Sequence, residues 1–64
     1  MYKDFEALLA KHNTNAYRVA KATGISTATL TEWKKGTYIP KVDKLQKIAD
    51  HFGIPVTDLI RKEG

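Results

Sequence analysis

Apolar residues recur every three or four positions along most of this 64-residue chain, and strand-like alternation is absent over any useful length. That period marks amphipathic helices. The interruptions are Asn13–Asn15, Gly24, Gly36, Pro40, Gly53 and Pro55. A first helix is predicted over 3–12, with Phe5, Leu8, Leu9 and His12 on one face. His12 is expected to be partly buried at the helix end, where the negative pole of the dipole suits it. Asn15 is a good cap residue and opens a second helix over 16–23, with Val19 and Ala20 inward. Gly24 ends that helix in the left-handed conformation. Ser26 caps a third helix over 27–35, with Leu30 and Trp33 inward, Ile25 just ahead and Gly36 at its end. Thr37–Lys41 is a loop closed by Pro40. A fourth helix over 42–52 carries the stripe Leu45, Ile48, Ala49 and Phe52, and Gly53 stops it. A short fifth helix is predicted near Pro55, with Leu59 and Ile60 closing the core. The expected architecture is a compact all-α domain of five helices. No repeat, low-complexity tract or linker divides it, so 1–64 reads as one domain.

A domain this small buries only about 60% of the surface its unfolded chain exposes, so it must pack efficiently. It has no cysteine, hence no disulfide and no thiolate zinc site. His12 and His51 lie far apart, and no metal or cofactor is expected. No apolar run approaches the roughly 20 residues of a membrane span. The start, MYKDFEALLAKHN, carries acids and lacks a small-residue cleavage site. A soluble, cytoplasmic protein without a membrane partner is the expectation. The seven carboxylates are scattered, with no nucleophile–base pair and no glycine-rich phosphate loop after a strand. Neither an enzyme nor a small-molecule substrate is therefore expected. Eleven Lys and Arg against seven Asp and Glu give a net charge of +4, which either serves solubility or points to an anionic partner such as nucleic acid.

The stretch GISTATLTEWKKG narrows that choice. A helix, a turn on Gly24 and a second helix form a helix-turn-helix layout. Ala20 stands where the two helices cross, and a larger side chain there would hold them apart. Val19, Ile25, Leu30 and Trp33 fall on the shared core. The outer face of the third helix is then Ser26, Thr27, Ala28, Thr31, Glu32 and Lys35. Small hydroxyls and a methyl at its leading end can approach the floor of a major groove, and the helix N-terminus favours nearby phosphate.

With NAYRVAKATGISTATLTEWKKG followed by IPKVDKLQKIADHFGIPVTDLI, residues 15–60 resemble the phage-repressor family of lambda-repressor-like helix-turn-helix proteins. That group contains the lambdoid repressors, Cro, and many Gram-positive repressors and antitoxins. The resemblance implies a DNA-binding domain whose third helix reads bases through Thr27, Ala28, Thr31 and Glu32, with Ser26 as cap and further contact. It implies phosphate contacts from Asn15 and Ala16 at the start of helix two, from Lys35, Thr37 and Tyr38 after helix three, and from Lys41 and Lys44 at helix four. Amides and lysines there would bond phosphate and fix register. Three positions depart from the family pattern. Ala16 stands where many relatives carry glutamine. Lys34 and Leu9 replace a frequent glutamate–arginine pair. Thr23 occupies a position that is usually apolar.

Some residues keep two readings. Arg18 and Lys21 either touch DNA backbone or form a solvated face; Tyr38 is either an exposed loop tyrosine or a phosphate contact. Glu32 accepts from cytosine N4, orients a neighbouring lysine, or penalises wrong sequences. Trp33, at helical spacing with Leu30, reads as core. The resemblance implies a repressor binding double-stranded DNA as a homodimer on a palindromic operator, with Leu59 and Ile60 of helix five as dimer seam. The chain is then a stand-alone regulator, a toxin–antitoxin partner or the N-terminal domain of a longer repressor. An antitoxin-like or other protein-interaction module with weak DNA binding is the alternative, favoured if Val56, Ile60 and Tyr2 expose apolar area. RNA binding is a third class and needs exposed stacking aromatics.

Overall fold

Local hydrogen bonds set the element boundaries. In the computed structural model, which describes residues 2–60, α1 is Tyr2–Lys11, α2 Ala16–Thr23, α3 Thr27–Lys35 and α4 Val42–Phe52. The Asn15 side chain accepts from the Arg18 N–H at 2.9 Å and caps α2. The Ser26 hydroxyl accepts from the Thr29 N–H at 3.1 Å and caps α3. α1 closes through Asn13 at φ 52°, with Thr14 N–H bonded to Leu9 O at 2.9 Å and Asn13 N–H to Ala10 O at 3.2 Å. This is the paired closure that usually takes glycine; asparagine tolerates it better than most residues.

The inward residues of the four helices, joined by Ile25 from the turn after α2 and by Leu59 near the end of the described chain, form one core: Phe5, Val19, Ala20, Ile25, Leu30, Trp33, Leu45, Ile48, Ala49, Phe52 and Leu59. α2 packs on both α3 and α4. Aromatic rings tie α1 to the rest. Phe5 stacks on Trp33 with centroids 5.3 Å apart, and Tyr2 meets Trp33 edge-on at 5.1 Å. Phe5 also meets Phe52 at 6.3 Å, which links α1 to α4. Such pairs contribute roughly 0.5–1.5 kcal/mol each beyond their buried area.

Three expectations change. α1 starts and ends one residue earlier than predicted, and His12 is exposed rather than partly buried. Its ring lies on the outside of Phe52, centroid to centroid 4.9 Å, while its N–H still bonds Leu8 O. The predicted fifth helix is a 3-10 turn, Val56–Asp58, with Pro55 as its cap residue. Its bonds span three residues, Asp58 N–H to Pro55 O at 3.0 Å and Leu59 N–H to Val56 O at 2.9 Å, and Leu59 enters the core directly after the turn. Leu59 is fully buried, so it belongs to the core and offers nothing to a dimer seam. Tyr2, Val56 and Ile60 are half-buried against the core, not an exposed apolar area. Among the described residues, the exposed large apolar ones are Tyr17, Tyr38, Ile39 and Val42.

Thr23 keeps its place at a usually apolar position because its hydroxyl is satisfied internally. It donates to Val19 O at 2.7 Å and accepts from the Ile25 N–H at 3.4 Å. Leu9 is half-buried on the core, and its departure from a charged pair adds apolar contact instead.

A domain of this length has roughly 3–10 kcal/mol of total stability. Phe5→Ala removes about 3–5 kcal/mol. Urea unfolding followed by circular dichroism should therefore find Phe5→Ala less stable by about 3–5 kcal/mol, a large share of the total, whereas Ser26→Ala loses only about 1 kcal/mol. Burial, and secondarily the charge of Glu6, raise the Tyr2 phenol above its ordinary 10.0. A raised pKa stabilises the fold below the unfolded value and loses that contribution as pH climbs through the folded one. Tyr2→Phe should match the parent in thermal melts at neutral pH and unfold less readily than it above about pH 10.

Candidate nucleic-acid interface

The turn between α2 and α3 is three residues long: Gly24, Ile25 and Ser26. Gly24 takes φ +80° and donates its N–H to Ala20 O at 2.9 Å. A side chain at that φ would be strained even though space is open around it. Ile25 drops into the core and Ser26 caps α3, so the turn sets the angle at which α3 leaves α2. Leu30 and Trp33, 2% and 3% exposed, then hold α3 from below.

That anchoring leaves Ser26, Thr27, Ala28, Thr31, Glu32 and Lys35 exposed together. Their hydrogen-bonding capacities differ. Ser26 is occupied by its cap and by the Thr29 hydroxyl at 2.9 Å. The Thr31 hydroxyl donates to Thr27 O at 2.9 Å, which leaves its lone pairs to accept. Thr27 has no side-chain bond within the described residues. Glu32 accepts from the Thr37 hydroxyl at 2.5 Å, so its partner is a loop threonine rather than a lysine. A shallow hollow of about 270 Å³, lined by Ala28, Thr29, Glu32 and Tyr38, opens beside it.

The expected phosphate contacts fall into two groups. Asn15, Ala16 and Arg18 stand at the start of α2. Asn15 and Arg18 are exposed, and Ala16 is half-buried against the core. The amides of Ala16 and Tyr17 have no partner among the described residues. Packing thus explains alanine at position 16, and the amide remains available without a glutamine brace. Lys35, Thr37, Tyr38, Lys41 and Lys44 stand after α3 and at α4. Here one expectation fails. The amides of Gly36 and Thr37 are consumed by Trp33 O at 3.0 Å and Glu32 O at 3.1 Å, closing α3, so they are not free for phosphate. The Thr37 hydroxyl is likewise turned to Glu32.

α4 is the counterpart. Its cap residue is Lys41, and no side chain caps it. The amides of Val42 and Asp43 have no partner among the described residues. An uncapped N-terminus beside two lysines attracts an anion through free N–H groups, dipole and charge together. Lys44 also lies over the Tyr38 ring, its Nζ 5.9 Å from the centroid, and Lys21 over Tyr17 at 5.4 Å. Tyr38 is 37% exposed. From 15 to 47 the basic residues are Arg18, Lys21, Lys34, Lys35, Lys41, Lys44 and Lys47, against only Glu32 and Asp43. The charge excess lies in the segment that carries α2, α3 and the start of α4.

Sequence reasoning missed Thr29, the Glu32–Thr37 bond and the exposure of Ile39 and Val42. The spacing S-x-x-T was the visible signal for Thr29. A bond from a helix to the loop five residues on had none.

No helix among the described residues is long and apolar enough to cross a membrane. No solved structure gives a significant match to the chain. Among curated relatives, the chain is 30% identical over 53 residues to the cryptic phage CTXphi transcriptional repressor RstR of Vibrio cholerae, covering 83% of this chain and 48% of that protein. It is 36% identical over 50 residues to an uncharacterized HTH-type transcriptional regulator of Methanocaldococcus jannaschii, covering 78% of this chain and 76% of that one. The chain thus spans about half the length of the first relative and three quarters of the second. The family model of the Cro/C1-type HTH DNA-binding domain matches residues 5–63, and with the helix-turn-helix formed by α2 and α3 the chain belongs to that family.

Proposed function

We propose that this chain is the DNA-binding domain of a transcriptional repressor that reads a palindromic operator through the major groove. The observation that carries the reading is the outward face of α3. Thr27, Ala28 and Thr31 are small and exposed, while Leu30 and Trp33 fix the helix beneath them. A side-chain face of this kind approaches base edges closely, and hydroxyls bond several of them. Ser26 contributes mainly as cap. Asn15, the Ala16 amide and Arg18 hold one phosphate strand; Lys35, Tyr38, Lys41, Lys44 and the free amides of α4 hold the other. The relative RstR is a phage repressor by name, which supports repression as the outcome.

Dimerisation is part of the reading. α3 has nine residues and is about 14 Å long, which covers roughly four base pairs. So few positions specify a site poorly against a genome of competitors. Two copies on half-sites one helical turn apart double the information. Residues 1–64 act as one domain, alone or within a longer regulator, in the cytoplasm, and no catalytic step is involved.

Selection of bound duplexes from a random library, eluted at rising salt, tests the proposal. A symmetric motif supports it, and the half-site spacing gives the dimer geometry. Salt-labile binding without a motif refutes it in favour of an interaction module. Thr27→Glu with Thr31→Glu should abolish specific binding while the circular dichroism spectrum stays helical. Lys35→Ala should weaken all duplexes about equally and reduce the salt slope by about 0.9; a loss confined to one sequence contradicts its phosphate role.

A further inference from the structure

Glu32 is the one acid on the outward face of α3, and a carboxylate there is repelled by phosphate unless it has a donor to meet. The structure shows what steers it. The Thr37 N–H bonds Glu32 O at 3.1 Å as part of the closure at Gly36, so the loop backbone is pinned to the end of α3. From that fixed point the Thr37 hydroxyl donates to Glu32 Oε1 at 2.5 Å. The hydroxyl also lies 3.2 Å from Glu32 O, but the shorter, charge-assisted bond takes the proton. One carboxylate oxygen is therefore held, and Oε2 has no partner among the described residues. Both side chains are exposed, so the free oxygen meets solvent on the same face as Ala28.

Resting on the operator-reading function proposed above, we infer that Thr37 is a positioning residue. It presents Glu32 to the N4 amino group of one cytosine, and the adjoining hollow admits that base's C5 edge. Carboxylates accept from the amino groups at cytosine N4 and adenine N6 and meet only acceptors on guanine and thymine; beside its N6, adenine sets the N7 acceptor where cytosine offers C5–H, which the carbon-lined hollow suits. The rotamer freedom that an exposed glutamate loses on docking is already restricted in the free protein. In a pyrimidine, C5 neighbours C4 on the major-groove edge. The hollow beside Glu32 is lined by the Ala28 methyl, Thr29 and the Tyr38 ring, a largely carbon surface suited to C5–H or to a methyl there. The subsite therefore takes cytosine and 5-methylcytosine and rejects thymine, whose O4 would face the carboxylate. Thr37 thereby leaves the set of phosphate contacts.

The test is duplex selection with the parent, Glu32→Ala, Thr37→Val and Thr37→Ser, followed by competition among duplexes carrying cytosine, 5-methylcytosine or thymine at the Glu32-dependent position. The expected result is one motif position, on each half-site, whose cytosine preference falls roughly tenfold in both Glu32→Ala and Thr37→Val and returns in Thr37→Ser. The salt slope stays at the parent value, because no phosphate contact is lost. 5-Methylcytosine competes as well as cytosine. An unchanged motif with a uniformly weaker, shallower salt dependence in Thr37→Val makes Thr37 a phosphate contact and overturns the inference alone. A motif without a Glu32-dependent cytosine, or one in which 5-methylcytosine is rejected like thymine, does the same. If the parent selects no motif at all, the operator-reading function itself fails, and this inference with it.

Discussion

Trp33 packs with Phe5 and Tyr2 in a three-ring cluster in which each ring touches the other two, and the direction of every outward residue on α3 follows from that placement. A helix of nine residues has little stability of its own. Its orientation comes from burial of Leu30 and Trp33 on one side and from the turn at Gly24 at its start. Rotating α3 by one residue would bring Lys34 toward the core and carry Trp33 into water. The apolar side therefore decides which polar side chains face outward. The chemistry that α3 turns outward is a by-product of where an indole ring is kept dry.

A chain without disulfides must end its helices well, and this one does so unevenly. α2 and α3 begin with side-chain caps from Asn15 and Ser26, whereas α4 begins with Lys41 and no cap. The capped start of α3 fixes the geometry of its exposed leading residues, Thr27 and Ala28. The uncapped start of α4 leaves N–H groups for another acceptor. The closure after α3 has the opposite character, since its amides are already bonded and its one spare hydroxyl is directed to Glu32.

The helices and the core were legible because each rests on spacing. Phe5, Val19, Leu30, Trp33, Leu45, Ile48 and Leu59 fall at periods that point the same way, and caps and glycines mark the ends. The outward face of α3 followed by elimination. The missed features depend on distances that spacing does not encode. His12 has the right period for burial but sits past the last turn of α1, where the chain has already curved away. The spacing of Leu59 suits both the core and a seam, and its complete burial decides for the core. The amides after α3 looked available because loop residues usually are; the closure at Gly36 consumes them. Thr37 looked like a phosphate contact from its position, and its bond to Glu32 depends on the loop folding back by one turn.

Under the proposed function, the bare start of α4 would tie the protein's survival to its occupancy. A partner that satisfies those amides binds the folded chain alone, so it deepens the native basin by mass action. Domains of this size unfold often, and proteases act on the open population. Molecules resting on an anion are withdrawn from that population, while unoccupied ones are exposed to it. Under that function, any surplus over the available sites would be the fraction cleared first.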